Sequence, residues 1–175
     1  MNVKPIHEIM VPLEQYACIP DTLTLGEAIL EMAVQILRRK QLSLPRVALV
    51  FDDSFRELLG ILRRRDIMRG LEPRFLLSGS MQYGRKLFDV PVDPNLAELS
   101  SDKIVAHMRQ RASRPVRDFM MPIAATINHD DHLMKAICEM VDRNTSLLPV
   151  VKEGKVVGVV RSVDVLQEIA LILQS

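Results

Sequence analysis

Two patterns of apolar residues alternate along this chain. Nearly continuous apolar runs of four or five residues stand at 47–50, 58–62, 148–151 and 156–160, which is typical of strands buried on both faces. Between these runs, apolar residues recur every three or four positions, which predicts amphipathic helices. The predicted helical stripes are Leu25, Ile29 and Met32 in the first half and Leu133, Ile137 and Val141 in the second half.

The same order of elements occurs twice. An offset of 110 residues between the first pair of similar segments shrinks to 98 at the last pair. Shrinkage confined to the connections is expected when a unit is duplicated and its loops differ in length. Each unit is predicted to be a βαββα arrangement of about 60 residues, too small to bury a good core alone, so the two units should pack together. The matched segments are 5–12 with 115–122, 25–32 with 133–140, 44–45 with 148–149, and 60–66 with 158–164.

The repeats define the predicted domain organisation. The first unit is expected at 1–70 and the second at 115–175, with an insert at 71–114 that has no counterpart in either. The insert is expected to begin as a loop and to end as a helix that starts near Ser101. Acidic residues precede each first helix, and Asp66 and Asp164 are predicted to be the N-caps of the closing helices.

Composition limits the function classes. The chain has 175 residues, 48% of them hydrophobic and 26% charged, with a net charge of +1. This is ordinary globular composition and argues against whole-chain disorder and an overall basic coat. Aromatic residues make up only 4%, which argues against stacking platforms for single-stranded nucleic acid. With two cysteines, Cys18 and Cys138, and no signal peptide or membrane-length apolar run, we expect a cytoplasmic protein without a disulfide framework.

The repeated motifs resemble the CBS domain, which is named after cystathionine β-synthase and occurs in tandem. The resemblance rests on Pro-flanked Met-x-Pro lead-ins, a helix with Ala-x-x-x-Met, Leu-Pro-Val-Val, and Gly-Val-Val-x-x-x-Asp, in the same order in two copies. It covers 3–70 and 115–174. It implies an α+β fold in which two repeats pack through their sheets with pseudo-twofold symmetry. It also implies adenine nucleotide binding in two clefts, and a homodimer.

A nucleoside phosphate requires an apolar slot for the base, a carboxylate for the ribose and donors for the phosphate. A strand that ends at a helix N-terminus can bring these together, and 60–66 and 158–164 both have this build. In the family pattern the final acid, here Asp66 or Asp164, contacts ribose. The family usually carries Thr or Ser three residues earlier, where this chain has Arg63 and Arg161. These arginines would either bind phosphate or pair with the nearby Asp and leave the cleft empty.

Other candidate residues follow from the same resemblance. The Met-x-Pro segments would lie beside the base, and the two strands after them would offer backbone groups to adenine. Hydroxyls before the second Leu-Pro could reach phosphate, although core packing and loop contacts explain these residues as well. The candidates are Met10, Pro12, Met120, Pro122, Ile19, Thr126, Ile127, Thr145 and Ser146.

The sequence shows no catalytic motif, and we expect no enzyme activity, cofactor or membrane partner. His129 and His132 flank two acids, but no further ligands are evident, so no metal site is expected. The main hypothesis is a stand-alone regulatory module that binds AMP, ADP, ATP or a related adenosyl ligand and signals through its dimer or an effector protein. The alternatives are a nucleic-acid or polyanion binder that uses arginine clusters, and a ligand-free dimerisation scaffold.

Overall fold

The computed structural model describes residues 4–39, 46–72 and 101–174. Two short 3-10 helices, Leu13–Gln15 and Val116–Asp118, accompany the regular elements. The strands are β1 (Val11–Pro12), β2 (Cys18–Pro20), β3 (Val47–Phe51), β4 (Leu58–Arg63), β5 (Ile127–Asn128), β6 (Leu147–Lys152) and β7 (Lys155–Arg161). The helices are α1 (Ile6–Ile9), α2 (Leu25–Arg39), α3 (Arg64–Leu71), α4 (Ser101–Ala112), α5 (Leu133–Asp142) and α6 (Ser162–Leu173).

The elements form two units of the same topology. The first runs β2-α2-β3-β4-α3 and the second runs β5-α5-β6-β7-α6, so the predicted α+β fold with two βαββα units is confirmed. In each unit the first strand pairs parallel with the second, and the second pairs antiparallel with the third. The parallel pair is connected through a helix, as parallel strands require.

Within the described residues, three apolar clusters form the core. One lies between sheet and helices of the first unit, around Ile19, Leu25 and Leu62. Another occupies the same place in the second unit, around Ile127 and Leu133. The third joins the two sheets, and its buried members come from both units: Leu49, Phe51, Leu147 and Val159. The sheets therefore pack face to face, as expected for units that cannot bury a core alone.

The segment that leads into each unit crosses to the other unit. β1 pairs antiparallel with β7 of the second sheet, and Met121 forms a bridge with Ile61 of the first sheet. The backbone N–H of Ile6 donates to the carbonyl O of Asp131 at 2.8 Å, and that of Val116 donates to the carbonyl O of Leu23 at 2.9 Å. Each unit therefore contributes its lead-in to the other unit in the same way, in agreement with the duplicated motifs of the sequence.

Some local expectations were wrong. Val141, placed in a helical stripe, is 72% exposed, and Met140 takes its place in the core because the helical period favours the neighbouring position. Strand pairing aligns Val50 with Gly60 and Val150 with Gly158. The structural counterpart of Pro149 is therefore Leu49, not Pro45, which lies outside the described residues.

The start of α2 is fixed by a capping box. α2 begins after Thr24, whose hydroxyl accepts the N–H of Glu27 at 3.2 Å while the Glu27 carboxylate accepts the N–H of Thr24 at 2.8 Å. This reciprocal capping box satisfies two of the N–H groups at the start of the helix. The predicted insert helix is present as α4, but no residue in it is buried. Among residues 4–39, 46–72 and 101–174, no helix combines the length and apolar character of a membrane span.

Candidate functional site

Each closing strand runs directly into a helix. β4 ends at Arg63 and β7 ends at Arg161, and both arginines keep extended backbone angles at the N-cap position. Asp66 and Asp164 therefore lie at the third helical position and are not the N-caps predicted from the sequence. Their carboxylates still satisfy a free N–H group, because each accepts a hydrogen bond from the backbone N–H of the arginine, at 3.1 Å and 2.9 Å.

The same two residues also form a bidentate ion pair. The Nε of Arg63 donates to Asp66 Oδ2 at 2.8 Å, and its Nη2 donates to Oδ1 at 2.9 Å. Arg161 and Asp164 repeat this arrangement, with Nε 2.8 Å from Oδ2. The carboxylates are buried, whereas the arginine side chains are 41% and 42% exposed. Each junction thus places a buried acid beneath a guanidinium that reaches solvent.

The ion pair controls the ionisation of its members. Burial by itself would raise the pKa of Asp66, but the hydrogen bonds from Arg63 outweigh burial and hold this pKa below its ordinary value. Hydrogen bonding to the acids raises the pKa of both Arg63 and Arg161. Asp66 is therefore a carboxylate at neutral pH, able to accept hydrogen bonds only.

Glycines let the exchanged lead-ins approach these junctions. A Cβ on Gly158 would lie 2.6 Å from the carbonyl O of Val11 and 2.9 Å from the Sδ of Met10. A Cβ on Gly60 would lie 2.6 Å from the carbonyl O of Met121. The Met-x-Pro segment of each unit is therefore assembled with the Gly-to-Asp segment of the other unit. Sequence reasoning could not find this, because the repeat pattern does not state which sheet a lead-in joins.

The remaining candidate residues divide into three groups. Ile19 and Ile127 are buried in the cores, so only their backbone groups could meet a ligand. Thr145 uses its hydroxyl locally, as a donor to the carbonyl O of Leu147 at 3.0 Å. The carbonyl O of Ser146 accepts the N–H of Ser162 at 2.9 Å, which brings Ser146 to the junction. At or near the surface lie Met10, Pro12, Met120, Pro122 and Thr126.

Two residues near the junctions were missed by the sequence reasoning. The carbonyl O of Arg46 accepts the N–H of Arg64 at 3.1 Å, so Arg46 takes the place in the first unit that Ser146 has in the second. The incorrect match of Pro45 with Pro149 concealed this equivalence. Tyr16 lies within the electrostatic reach of Arg161 and Asp164, and burial raises its pKa to about 12. No sequence signal marked it, because it stands outside the repeated motifs.

Several arginines of the predicted clusters make contacts within the fold. Arg111 donates through Nε to the carbonyl O of Gly70 at 2.7 Å, and its guanidinium lies over Phe119. Arg114 pairs with Asp118, and Arg117 with Asp21. The side chains of the predicted cluster at 38–40 lie outside the described residues.

Comparison with known families decides the classification. The family model described as "CBS domain" matches residues 6–73 and 116–171, which is most of the chain. This chain belongs to the CBS-domain family. The two matched stretches make it a CBS pair, and they contain both strand-to-helix junctions. A search of curated proteins finds no significant match.

Solved CBS structures share the fold at low sequence identity. The CBS domain of a membrane protein from Sphaerobacter thermophilus is 22% identical, with a TM-score of 0.62, covering 93% of this chain and 86% of that one. CBSX2 was solved in complex with AMP; it is 17% identical, with a TM-score of 0.59 and 98% coverage of both chains. The CBS domain of a bacterial CNNM/CorC family Mg²⁺ transporter in complex with ATP is 18% identical, with a TM-score of 0.59, covering 95% of this chain and 87% of that one.

Proposed function

We propose that this CBS pair is a regulatory module that binds a phosphorylated adenine nucleotide, ATP or ADP in preference to adenosine, at its strand-to-helix junctions. The observation that carries the proposal is the solvent-reaching guanidinium on a buried carboxylate, present at both Arg63 and Arg161. The AMP complex of CBSX2 and the ATP complex of the transporter domain support an adenine nucleotide as the ligand class.

Hydrogen-bond capacity explains the preference for phosphate. A carboxylate offers about four lone-pair positions, and three of those on Asp164 already accept N–H groups of Arg161. One lone-pair position on Oδ1 is left for a single ribose hydroxyl, whereas an unpaired carboxylate would accept both ribose hydroxyls. In the described contacts, Arg161 uses two of its five side-chain N–H groups on Asp164 and keeps three for a phosphate. Compared with a site whose acid is unpaired, this site is expected to bind ribose less strongly and phosphate more strongly.

The signal would pass through the relative position of the two units. A ligand at the Arg161 junction would touch β7 of one unit and the lead-in of the other, so its binding would depend on how the two units pack. It would favour one packing over another by no more than the difference between its affinities for the two packings. We expect no catalysis from this chain, and we expect the output to reach an effector protein through a homodimer in the cytoplasm.

One observation favours a second candidate, a ligand-free scaffold. In both junctions the arginine and the acid neutralise each other, and the arginine occupies three of the acid's acceptor positions, which would remove the ribose contact in a ligand-free scaffold. The two candidates predict opposite effects when the arginines are replaced by threonine, the residue type usual in the family.

Calorimetric titration of the full chain with ATP, AMP and adenosine separates the candidates. For a phosphate-binding role, the wild type binds ATP most tightly, and Arg63→Thr with Arg161→Thr weakens ATP by about 10- to 100-fold, the value of a charge-assisted hydrogen bond. Adenosine should be little affected. Arg56→Thr, in the exposed turn between β3 and β4 at the opposite end of β4 from Arg63, is the matched control and should bind as wild type. If the wild type binds nothing and the threonine variant gains AMP, the scaffold is correct and the proposal is wrong.

A further inference from the structure

A cluster of two imidazoles and one carboxylate lies where α1 meets the loop between β5 and α5. The members are His7, His129 and Asp130, and one ligand atom from each lies within 4.8 Å of the others. The rings of His7 and His129 are stacked, with centroids 4.5 Å apart. The Oδ1 of Asp130 lies 2.7 Å from the Nδ1 of His129 and 3.7 Å from the Nδ1 of His7. The cluster is separate from both strand-to-helix junctions in sequence.

We propose that His7, His129 and Asp130 bind a borderline divalent metal ion of the Zn²⁺, Co²⁺ or Ni²⁺ class. Imidazole nitrogen with one carboxylate oxygen is a donor set that suits these ions. A tetrahedral ion with bonds of about 2.0–2.1 Å separates its ligand atoms by roughly 3.3 Å. The two measured separations from Asp130 Oδ1 fall on either side of that value. Three protein ligands leave the fourth position to water.

The backbone holds the ligands in place without the ion. The N–H of His7 donates to the carbonyl O of His129 at 3.1 Å, beside the pairing of Ile6 with Asp131. In the loop, the N–H of Asp130 donates to the side-chain oxygen of Asn128 at 3.0 Å. Positions 122 residues apart are thus held together by main-chain contacts, so the ion would bind to a largely assembled site.

Binding requires one side-chain movement. The two rings are only 18° from parallel, so an ion in the plane of one ring lies off the plane of the other. His7 is the ring with room to turn, since its side chain is 37% exposed and that of His129 is 17% exposed. Metal binding should therefore break the stack and turn His7 toward Asp130.

The pseudosymmetric position supports a specialised role for the cluster. Beside the first sheet, where the lead-in of the second unit crosses, the residues that correspond to His7 and His129 are Arg117 and Asp21, and they form an ion pair at 3.7 Å. On that side an ion pair adds to the backbone contact between Val116 and Leu23. Beside the second sheet, imidazoles stand at both of these positions and would join the two segments through a metal. His129 and His132 showed no further ligand along the sequence, because His7 lies 122 residues from His129 and is brought to it only by the fold.

The test is titration of the untagged, chelator-treated full chain with Co²⁺ and Zn²⁺, without nucleotide. One Co²⁺ should bind and give the strong visible absorption of a tetrahedral site, and excess Zn²⁺ should displace it and raise the melting temperature. His7→Gln and Asp130→Asn should each weaken Co²⁺ binding at least about tenfold. His132→Gln, on the same loop but outside the cluster, and His107→Gln, on α4, are the matched controls and should bind within about twofold of wild type.

Unchanged Co²⁺ binding by His7→Gln would overturn the proposal, and so would a loss confined to His132→Gln, because either places the ion elsewhere. Should His7→Gln fail to fold, Asp130→Asn decides, since the Asp130 side chain is 75% exposed and its loss does not disturb packing. Deuterium exchange gives a second measurement. Zn²⁺ should slow exchange at the amides of Ile6 and His7 in the wild type and leave it unchanged in Asp130→Asn.

Discussion

Asp164 accepts the backbone N–H of Arg161 at 2.9 Å and the Nε–H of the same residue at 2.8 Å, so one arginine both begins the helix and covers its acid. Arg63 and Asp66 repeat the arrangement in the first unit. Helix start and candidate ligand site therefore depend on the same two contacts. Substitutions there are expected to change stability and binding together, and controls must separate the two.

Asp66→Asn should destabilise the protein by about 1–2 kcal/mol at pH 7, because the amide loses the charge-assisted bonds from Arg63. The pKa of Asp66 is lower in the folded state than the ordinary 3.8. Its contribution is therefore fully present above pH 3.8 and is lost as the pH falls through the folded-state pKa. Urea unfolding at pH 7 and pH 3 should show a difference between variant and wild type that shrinks at the lower pH. Asp142→Asn, exposed at the end of α5, is the matched control and should stay within about 0.5 kcal/mol of wild type at pH 7.

Gly158→Ala should cost about 2–3 kcal/mol, because the new Cβ would lie 2.6 Å from the carbonyl O of Val11, and backbone cannot move aside cheaply. Chemical denaturation measures the loss. Gly154→Asn is the matched control: Gly154 has φ of 77° and open space around it, and Asn accepts this conformation, so the change should stay within about 1 kcal/mol. Equal losses in both variants would contradict the close approach of β1 to β7.

Tyr16 should titrate near pH 12. Burial raises its pKa from 10.0 to about 12, so the folded state keeps the proton that the unfolded state releases. The free energy of unfolding should therefore fall as the pH rises from about 10 to about 12. Absorbance at alkaline pH measures the phenolate directly in Tyr83→Phe, which leaves Tyr16 as the single tyrosine. A midpoint near 10 in the folded protein would show that Tyr16 is not buried.

Ile6→Ala should cost about 2–4 kcal/mol, because Ile6 is fully buried in the core of the second unit. Val141→Ala, at an exposed position, should stay within about 0.5 kcal/mol. Hydrogen exchange locates the damage: the amides of α5 should exchange faster, and those of α2 should change less. Faster exchange confined to α2 would mean that the lead-in packs on its own unit.

Much of the fold could be predicted because local chemistry repeats. The apolar runs at β3, β4, β6 and β7 identify strands regardless of their partners, and the duplicated order of motifs indicates two equal units. The candidate acids, Asp66 and Asp164, were found by their place after a Gly-containing strand. The predicted N-cap position was wrong by three residues, because the strand continues to the arginine before the helix begins. Only the backbone angles show this.

The sequence by itself determined the elements, the repeat and the family resemblance, because these depend on patterns within about ten neighbouring residues. The tertiary structure alone decided which units exchange their lead-ins, that each arginine turns back onto its acid, and that His7 lies against His129. These are contacts between residues far apart in the chain or choices among side-chain rotamers. Their free energies depend on packing and charge in three dimensions, and no pattern along the chain records them.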